Sequence, residues 1–224
     1  MRRFGWRHAA CLRLFDVICA AAGLPVLSPL LGLIALLIVC EDGRPVLFRQ
    51  KRVGRGGNYF QILKFRTMRE NSSGALITAA GDSRVTRAGH WLRRFKLDEL
   101  PQLFNVLCGE MSLIGPRPEV PEFVQMEDPR WQAVLSVRPG ITDLATLVCR
   151  DEERMLGAQA NPTECYRETI LPAKLRLNLE YQGSRTFARD LLLLVLTIRY
   201  SLFPMGFDPV RLRQSFRTQS AIYE

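Results

Sequence analysis

Two adjacent carboxylates, Asp98 and Glu99, follow three cations within the segment RRFKLDELPQ. A carboxylate set among cations can act as a nucleophile or bind a divalent metal. The same pair also suits the first turn of a helix, because aspartate is a favoured N-cap and Pro101 falls where no helical N–H bond is lost. This segment alone therefore leaves both a structural cap and a chemical role open.

The positive charge of the chain is concentrated in two runs that contain no acidic residue. The protein has 224 residues and a net charge of +9; residues 49–69 carry seven Lys or Arg and residues 84–96 carry five. Such patches suit nucleic acid, anionic lipid or a small polyphosphate substrate. A hydrophobic content of 47% and a charged content of 24% indicate a folded chain rather than a disordered one.

The cysteines and histidines argue against a zinc site. The six cysteines include no C-x-x-C pair, and neither of the two histidines stands near a cysteine pair. A disulfide framework is not expected in a chain of this size. We predict reduced, partly buried thiols.

The segment VICAAAGLPVLSPLLGLIALLIVC, residues 17–40, carries no charge over 24 residues. A bilayer span needs about 20 residues, and membrane helices tolerate proline, so a kinked spanning helix is one alternative. However, basic residues flank both ends, and the positive-inside tendency places both flanks in the cytoplasm. We therefore predict a re-entrant helix-hairpin broken at Ser28-Pro29, where the serine hydroxyl can bond a freed carbonyl.

Two further segments suggest how the soluble part is built. Residues 45–50 and 59–68 read as two strands joined by a glycine-rich turn, with Lys64 and Arg66 alternating toward one face as candidate phosphate contacts. The apolar run Leu191–Ile198 is too short to span a membrane. It fits either a core helix or a helix lying on the headgroups.

Two arginines stand in stiff turns. Arg117 lies between Pro116 and Pro118, and Arg138 precedes Pro139. Proline restricts the local backbone, so these side chains lose little entropy on binding. Together with the basic runs and the acidic pair, they indicate a site for a pyrophosphate.

Four motifs then resemble those of the bacterial sugar transferases, the monotopic phosphoglycosyltransferases. They are the early LFD with its Ser-Pro break, KFRTM, DELPQLFNVLCGEMSLIGPRP and RPGIT, which occur in family order from about Leu12 to Leu202. The resemblance is to the short form, a catalytic domain with its membrane hairpin. It implies transfer of a sugar phosphate from a UDP-sugar to polyprenyl phosphate, with release of UMP, on the cytoplasmic face of the bacterial inner membrane.

The resemblance also implies roles for particular residues. Asp98 and Glu99 match the family's catalytic pair, with Asp98 as the nucleophile and Mg²⁺ bound beside it. The family's basic positions match Lys64, Arg66, Arg93 and Arg117. After RPGIT many members continue with GWAQ, whereas this chain has Asp143-Leu144-Ala145-Thr146. That departure indicates a subgroup and leaves the sugar open.

The fold expected is α/β and mostly helical, with a small antiparallel hairpin, the re-entrant helix and interfacial amphipathic helices. The expected divisions are residues 1–42 for the membrane helix and its lead-in, 43–203 for the catalytic domain and 204–224 for a basic tail. The expected partners are a UDP-sugar, polyprenyl phosphate and membrane lipid, without nucleic acid; a homodimer is one alternative. The rival function is a non-catalytic, membrane-tethered binder of anionic lipid or nucleic acid. The positive field around Asp98 is expected to favour its ionised form.

Overall fold

The computed structural model describes residues 6–69, 77–203 and 208–216, and over those residues it is mostly helical with two small sheets. The elements are α1 (Trp6–Asp42), β1 (Leu47–Val53), β2 (Tyr59–Phe65), α2 (Arg87–Arg94), α3 (Gln102–Cys108), β3 (Ser112–Ile114), α4 (Pro129–Val134), β4 (Gly140–Thr142), α5 (Leu144–Val148), α6 (Glu152–Gly157), α7 (Pro162–Cys165), α8 (Leu171–Gly183), α9 (Phe187–Leu202) and α10 (Pro209–Phe216). A 3-10 turn, Leu97–Glu99, lies between α2 and α3, and a π-helical turn, Tyr166–Ile170, joins α7 to α8. The predicted fold class is confirmed at this level.

Helix α1 continues through the predicted break. It runs as one helix with Pro25 and Pro29 inside it. The Ser28 hydroxyl donates to the Pro25 carbonyl over 2.8 Å. This carbonyl lies four residues before Pro29, which has no N–H to bond it. The predicted serine hydrogen bond is therefore confirmed, the chain stays helical at Ser28-Pro29, and the path of α1 through a membrane stays a prediction.

One face of α1 packs on the rest of the protein along its length. The buried positions Ala20, Leu24, Ile34 and Ile38 recur at helical spacing, and they belong to two hydrophobic clusters shared with other elements. Ala20 and Leu24 pack with residues of α3 and β3, whereas Ile34 and Ile38 pack near Phe65. The helix is therefore part of the domain core.

Both ends of α1 are also held by hydrogen bonds. Near the start, Arg13 donates to the Val106 and Leu107 carbonyls at the end of α3, over 2.6 and 3.0 Å. At the other end, the Glu41 carboxylate accepts the N–H groups of Arg87 and Ala88 at the start of α2, each over 2.8 Å. The two ends thus contact the same domain.

The opposite face of α1 is apolar and exposed. Six large aliphatic side chains are each more than half exposed: Leu14, Ile18, Val26, Leu33, Leu36 and Leu37. Over Ala9–Asp42 the helix is long and apolar enough to cross a membrane. A contiguous apolar face of this kind marks a surface that contacts lipid or another apolar partner.

The predicted antiparallel hairpin is present with shifted limits. Strand β1 pairs with β2 from Leu47↔Phe65 to Val53↔Tyr59. Strand β2 ends at Phe65 rather than at residue 68, so Arg66 lies beyond the regular alternation of side chains. Lys64 and Arg66 consequently reach different neighbours.

A second, parallel pair was not predicted from the sequence. Ser112 pairs with Gly140 and Ile114 with Thr142. The two strands approach so closely that a Cβ on Gly140 would lie 2.1 Å from the Gly115 nitrogen, so glycine is required there. This pair places the Pro116–Pro118 turn beside Thr142 and Asp143.

The predicted domain limits stay predictions. Helix α10, within the predicted tail, packs Phe216 against Tyr181 with ring centroids 5.9 Å apart. Its buried Leu212 and Phe216 belong to the same core as Ala20 of α1. The remainder of the predicted tail, residues 204–207 and 217–224, and the first five residues of the lead-in lie outside the described residues.

Candidate active site

Asp98 and Glu99 lie in the 3-10 turn between α2 and α3. Lys96 precedes the turn with φ of 58°, a left-handed conformation that reverses the chain after α2. Helix α3 starts only at Gln102, and Pro101 occupies its N-cap position. The alternative in which Asp98 caps the following helix is therefore wrong, because three residues separate it from the first residue of that helix.

The Glu99 carboxylate is held by two cations. Arg117 donates Nη2 to Oε1 over 2.6 Å and Nη1 to Oε2 over 3.2 Å, and Lys64 Nζ donates to Oε1 over 3.1 Å. Burial alone would raise the pKa of Glu99, but Arg117 and then Lys64 hold it well below the usual range. Glu99 is therefore an ionised anchor that orients two cations.

Burial also shifts the pKa values of two cations near Glu99, Lys64 and Arg52. Burial lowers the pKa of Lys64 to about 8, although the charge of Glu99 opposes the shift. Arg52 of β1 is partly buried nearby, and this burial lowers its pKa. Its Nη1 donates to the Pro118 carbonyl over 3.0 Å. The sequence counted Arg52 among the basic residues of 49–69, but nothing in its pattern distinguished it from its neighbours as part of this cluster.

Asp98 differs sharply from Glu99. Its side chain is buried, and its Oδ1 atom has no hydrogen-bond partner among the described residues. Burial and the adjacent Glu99 carboxylate raise the pKa of Asp98, against the lowering effects of Lys64, Lys96 and Arg93. The expectation that the positive field favours its ionised form is wrong for the protein alone, because burial and the like charge of Glu99 outweigh the cations.

An unpartnered carboxylate oxygen fits a Mg²⁺ ligand. Mg²⁺ is commonly held by one or two carboxylates, with water and substrate phosphates completing the octahedron. Asp98 Oδ1 suits this role, whereas both oxygens of Glu99 are engaged by cations. Within the described part of the chain, three or more His, Cys, Asp or Glu side chains do not gather into a metal cluster. The protein therefore offers a partial site that fits Mg²⁺ together with a phosphate substrate.

A cavity of about 560 Å³ lies next to this cluster. Its wall includes Arg93, Lys96 and Arg117, while Asp98 and Glu99 are not among its lining residues. The far wall is formed by α5–α6 residues such as Arg150 and by a buried lysine, Lys174 of α8. Of the acidic pair and its neighbouring cations, the cations therefore face the open space. Across the whole lining, seven Lys or Arg outnumber four Asp or Glu, and this excess of positive charge suits an anionic ligand.

The other predicted phosphate contacts are distributed differently. Arg93 lines the cavity, where Nη2 donates to the Thr78 hydroxyl over 3.0 Å and Nη1 lies 3.4 Å from Glu153 Oε1. Arg66 donates to the carbonyls of Asp42 and Gly43, over 2.7 and 2.8 Å, and so fixes the end of α1.

Arg138 also lies apart from the acidic pair. It donates to the Gly109 carbonyl over 3.0 Å, at the end of α3. The structure thus brings Lys64, Arg93 and Arg117 to the acidic pair or the cavity. For Arg66 and Arg138 a phosphate-binding role stays a prediction.

Comparison with known proteins identifies the class. The family model described as bacterial sugar transferase matches residues 7–204, nearly the whole chain. The chain belongs to this family. The resemblance drawn from the sequence motifs is therefore confirmed.

Three relatives with curated descriptions show how the similarity is distributed. A UDP-N-acetylgalactosamine-undecaprenyl-phosphate N-acetylgalactosaminephosphotransferase of Aeromonas hydrophila is 47% identical over 146 residues, 63% of this chain and 34% of that protein. An undecaprenyl-phosphate glucose phosphotransferase of Komagataeibacter xylinus is 38% identical over 202 residues, 85% of this chain and 36% of that protein. A UDP-glucose:undecaprenyl-phosphate glucose-1-phosphate transferase of Caulobacter vibrioides is 40% identical over 191 residues, 83% of this chain and 67% of that protein. The chain therefore matches only about a third of the first two relatives.

Proposed function

We propose that this protein transfers a sugar phosphate from a UDP-sugar to polyprenyl phosphate and releases UMP. The observation that carries the proposal is the arrangement of the acidic pair beside the cavity. Glu99 is ionised and bonded to Arg117, the adjacent Asp98 Oδ1 has no partner among the described residues, and more cations than carboxylates line the cavity. The names of the three relatives, all of which include undecaprenyl phosphate and sugar phosphate transfer, support it. Assembly of a surface polysaccharide or another glycoconjugate is the process that such a product serves.

The cavity cations prepare the donor for attack. A diphosphate repels an approaching carboxylate, so its nonbridging oxygens must first be neutralised. Arg93, Lys96 and Arg117 line the space where the diphosphate binds. Because Glu99 already fixes the Arg117 guanidinium through two hydrogen bonds, that cation needs little reorganisation when the charge on the phosphate changes.

The transfer then takes place in two displacements, and Asp98 is the nucleophile in the first of them. A carboxylate oxygen of Asp98 attacks the phosphorus that carries the sugar, the bond to the bridging oxygen breaks, and UMP leaves with that oxygen. The phosphate oxygen of the polyprenyl acceptor next attacks the same phosphorus and breaks the acyl phosphate bond, which restores the Asp98 carboxylate. Asp98 is 6% exposed, so its side chain must turn toward the cavity for the first step.

Mg²⁺ is the cofactor we propose for this site. Asp98 Oδ1 is the protein oxygen that fits it, and when bound the ion supplies Lewis-acid stabilisation of phosphoryl oxygens. A positive ion beside Asp98 also lowers the pKa of that carboxyl, which offsets the effect of burial.

The test of the function is UMP release. The purified protein is incubated with a panel of UDP-sugars, Mg²⁺ and undecaprenyl phosphate. We expect UMP and a polyprenyl diphosphate sugar from at least one donor, and no lipid product when the acceptor is omitted. Absence of UMP across the panel, combined with salt-sensitive binding of nucleic acid or anionic vesicles, would instead favour the non-catalytic binder.

We further propose that α1 is re-entrant and holds the protein on the cytoplasmic face of the bacterial inner membrane. Both ends of α1 are bonded to one domain, which supports the placement of both ends on the same side of the bilayer.

Helix α9 adds a second apolar surface. Its large exposed side chains include Leu191, Leu192, Val195, Ile198 and Leu202. Their spacing is that of one helix face, as expected of a helix lying at the interface.

Two native cysteines report on this topology. Cys11 and Cys40 are exposed near opposite ends of α1, and Cys108 is exposed on the catalytic domain as a reference. In variants that retain Cys11, Cys40 or Cys108 as the single cysteine of the six, we expect an impermeant maleimide to label each in inside-out vesicles and none in right-side-out spheroplasts. Labelling of Cys11 and Cys40 from opposite sides contradicts the re-entrant path.

The pH dependence should report on Lys64. Its pKa of about 8 means that it loses its proton as the pH rises through that value, and Glu99 then loses one of its two cations. We expect kcat/KM to fall above about pH 8. Arginine stays charged over this range, so Lys64→Arg should lack that fall even where its overall activity is lower. If kcat/KM of Lys64→Arg still falls with the same midpoint pH, the titration belongs to another group.

A further inference from the structure

Asp143 occupies the point where the sequence departs from the pattern common in the family. The side chain is 2% exposed and lies directly after β4. One carboxylate oxygen, Oδ2, accepts the main-chain N–H of Arg117 over 2.9 Å. The other, Oδ1, accepts the N–H of Thr146 and caps α5. A single buried carboxylate thus joins the turn that carries Arg117 to the first turn of a helix.

We propose that Asp143 is a positioning residue that fixes Arg117 in the site by holding its main-chain N–H. This inference rests on the proposed function, because Arg117 is the cation that contacts Glu99 and lines the donor cavity. Asp143 is not among the residues that line the cavity, and its effect passes through the backbone of residue 117.

The backbone around Arg117 explains why one hydrogen bond matters. Pro116 and Pro118 have no N–H, so the Arg117 N–H is the only main-chain donor in the three-residue turn. The turn's carbonyls are bonded as well: Gly140 N–H donates to the Pro116 carbonyl over 2.9 Å, and Arg52 donates to the Pro118 carbonyl over 3.0 Å. The Asp143 bond is the contact that fixes the central residue.

Asp143 also connects Arg117 with the opposite wall of the cavity. Helix α5, which Asp143 caps, ends at Val148, and the next residues, Cys149 and Arg150, line the cavity. Thr146, the cap's partner, lines it too. The Asp143 carboxylate therefore links the Arg117 side of the cavity to the α5 side, in addition to the β3–β4 pairing. A displacement of about 1 Å at a reacting centre can reduce a rate by roughly two orders of magnitude.

The variant that isolates this role is Asp143→Ser. Serine is a good N-cap, so α5 keeps its capping hydroxyl, but the shorter side chain cannot also reach Arg117. Asp128→Ser is the matched control, because Asp128 caps α4 through the Arg130 N–H at a partly buried site that does not line the cavity beside Arg117. Asp143→Thr is a second short capping variant for use where the serine variant yields too little folded protein.

Hydrogen exchange tests the contact without any assay of activity. In a peptide covering residues 113–120, prolines 116 and 118 carry no amide, so few sites report and Arg117 is one of them. We expect at least about tenfold faster exchange of one amide in that peptide for Asp143→Ser, and no change for Asp128→Ser. Unchanged protection in Asp143→Ser and Asp143→Thr overturns the proposal.

Kinetics test whether the contact acts through Arg117. In the otherwise unchanged protein we expect Asp143→Ser to lower kcat/KM for UMP release by about 10- to 100-fold. In the Arg117→Lys background the same change should lower it by less than about threefold, because the bidentate contact is already absent. Equal losses in both backgrounds overturn the positioning role. If the unchanged protein releases no UMP, the proposed function fails, and hydrogen exchange still decides whether Asp143 holds Arg117.

Discussion

Replacing Asp98 with asparagine is expected to abolish UMP release and, at the same time, to stabilise the fold. Asparagine matches the shape of aspartate but cannot form the acyl phosphate, so we expect kcat to fall by at least about 10³-fold. With a donor radiolabelled in its β-phosphate, label should remain on the unchanged protein and be absent from Asp98→Asn. If Asp98→Asn releases UMP at the original rate, Asp98 is not the nucleophile. If neither protein retains label, a direct, one-step transfer is favoured.

The stabilising effect follows from the burial of Asp98. Its pKa is raised by burial and by Glu99, so the ionised form opposes folding. The folded state binds the proton more tightly than the unfolded state, and this unfavourable contribution therefore grows as the pH rises above the unfolded pKa near 3.9 and is complete above the folded pKa. In EDTA at pH 7 we expect Asp98→Asn to unfold at a temperature a few degrees higher than the unchanged protein. The difference should vanish below about pH 4, and a lower unfolding temperature at pH 7 contradicts this account.

Glu99→Gln should have the opposite effect on stability. The change removes the negative charge that both Arg117 and Lys64 contact, and it leaves two partly buried cations without their carboxylate. Breaking a buried ion pair in this way costs about 3–5 kcal/mol of unfolding free energy. We expect a correspondingly lower midpoint in urea denaturation, together with loss of UMP release because Arg117 is no longer oriented.

The control for this prediction is a surface carboxylate. Glu180 lies 3.9 Å from Arg213 with both side chains well exposed, so Glu180→Gln should change the unfolding free energy by less than about 1 kcal/mol. The pKa of Glu99 is depressed, so its contribution is present above the unfolded pKa near 4.3 and is lost as the pH falls through the folded pKa. If Glu99→Gln is as stable as Glu180→Gln, the ion pairs of Glu99 with Arg117 and Lys64 do not stabilise the fold as predicted.

Stability measurements on this pair separate two roles that the sequence presents as one. Adjacent carboxylates in DELPQ look equivalent, and residue type alone does not say which one is paired. Their difference depends on Arg117, which is 18 positions away from Glu99, and on Lys64, which is 35 positions away. The sequence therefore predicted the acidic pair and both cations but not the pairing among them.

The predictions for Arg66 and Arg138 show a different limit. Alternation along a strand places Lys64 and Arg66 on one face only while the strand continues, and β2 ends at Phe65. Arg138 lies in the segment before β4, and the β3–β4 pairing that decides where this segment lies consists of only three residues in each strand. Strands this short carry too few residues to reveal a periodicity.

The helical elements were easier to predict. Helix α1 was expected from the uncharged run at residues 17–40, and the helix contains the whole of that run. The run does not predict which elements α1 packs against. The contacts of Arg13 with α3 and of Glu41 with α2 join residues that are far apart in the sequence.

Because both ends of α1 are hydrogen-bonded to the domain, α1 and the domain are expected to move as one body. A helix pinned at one end can swing when the surrounding bilayer thins or thickens, whereas one bonded at both ends can respond only by tilting together with everything attached to it. With α1 in the bilayer, as we propose, a change in bilayer thickness would change the height and tilt of the acidic pair relative to the headgroups. The lipid composition would then affect how readily the phosphate of the proposed acceptor reaches Asp98.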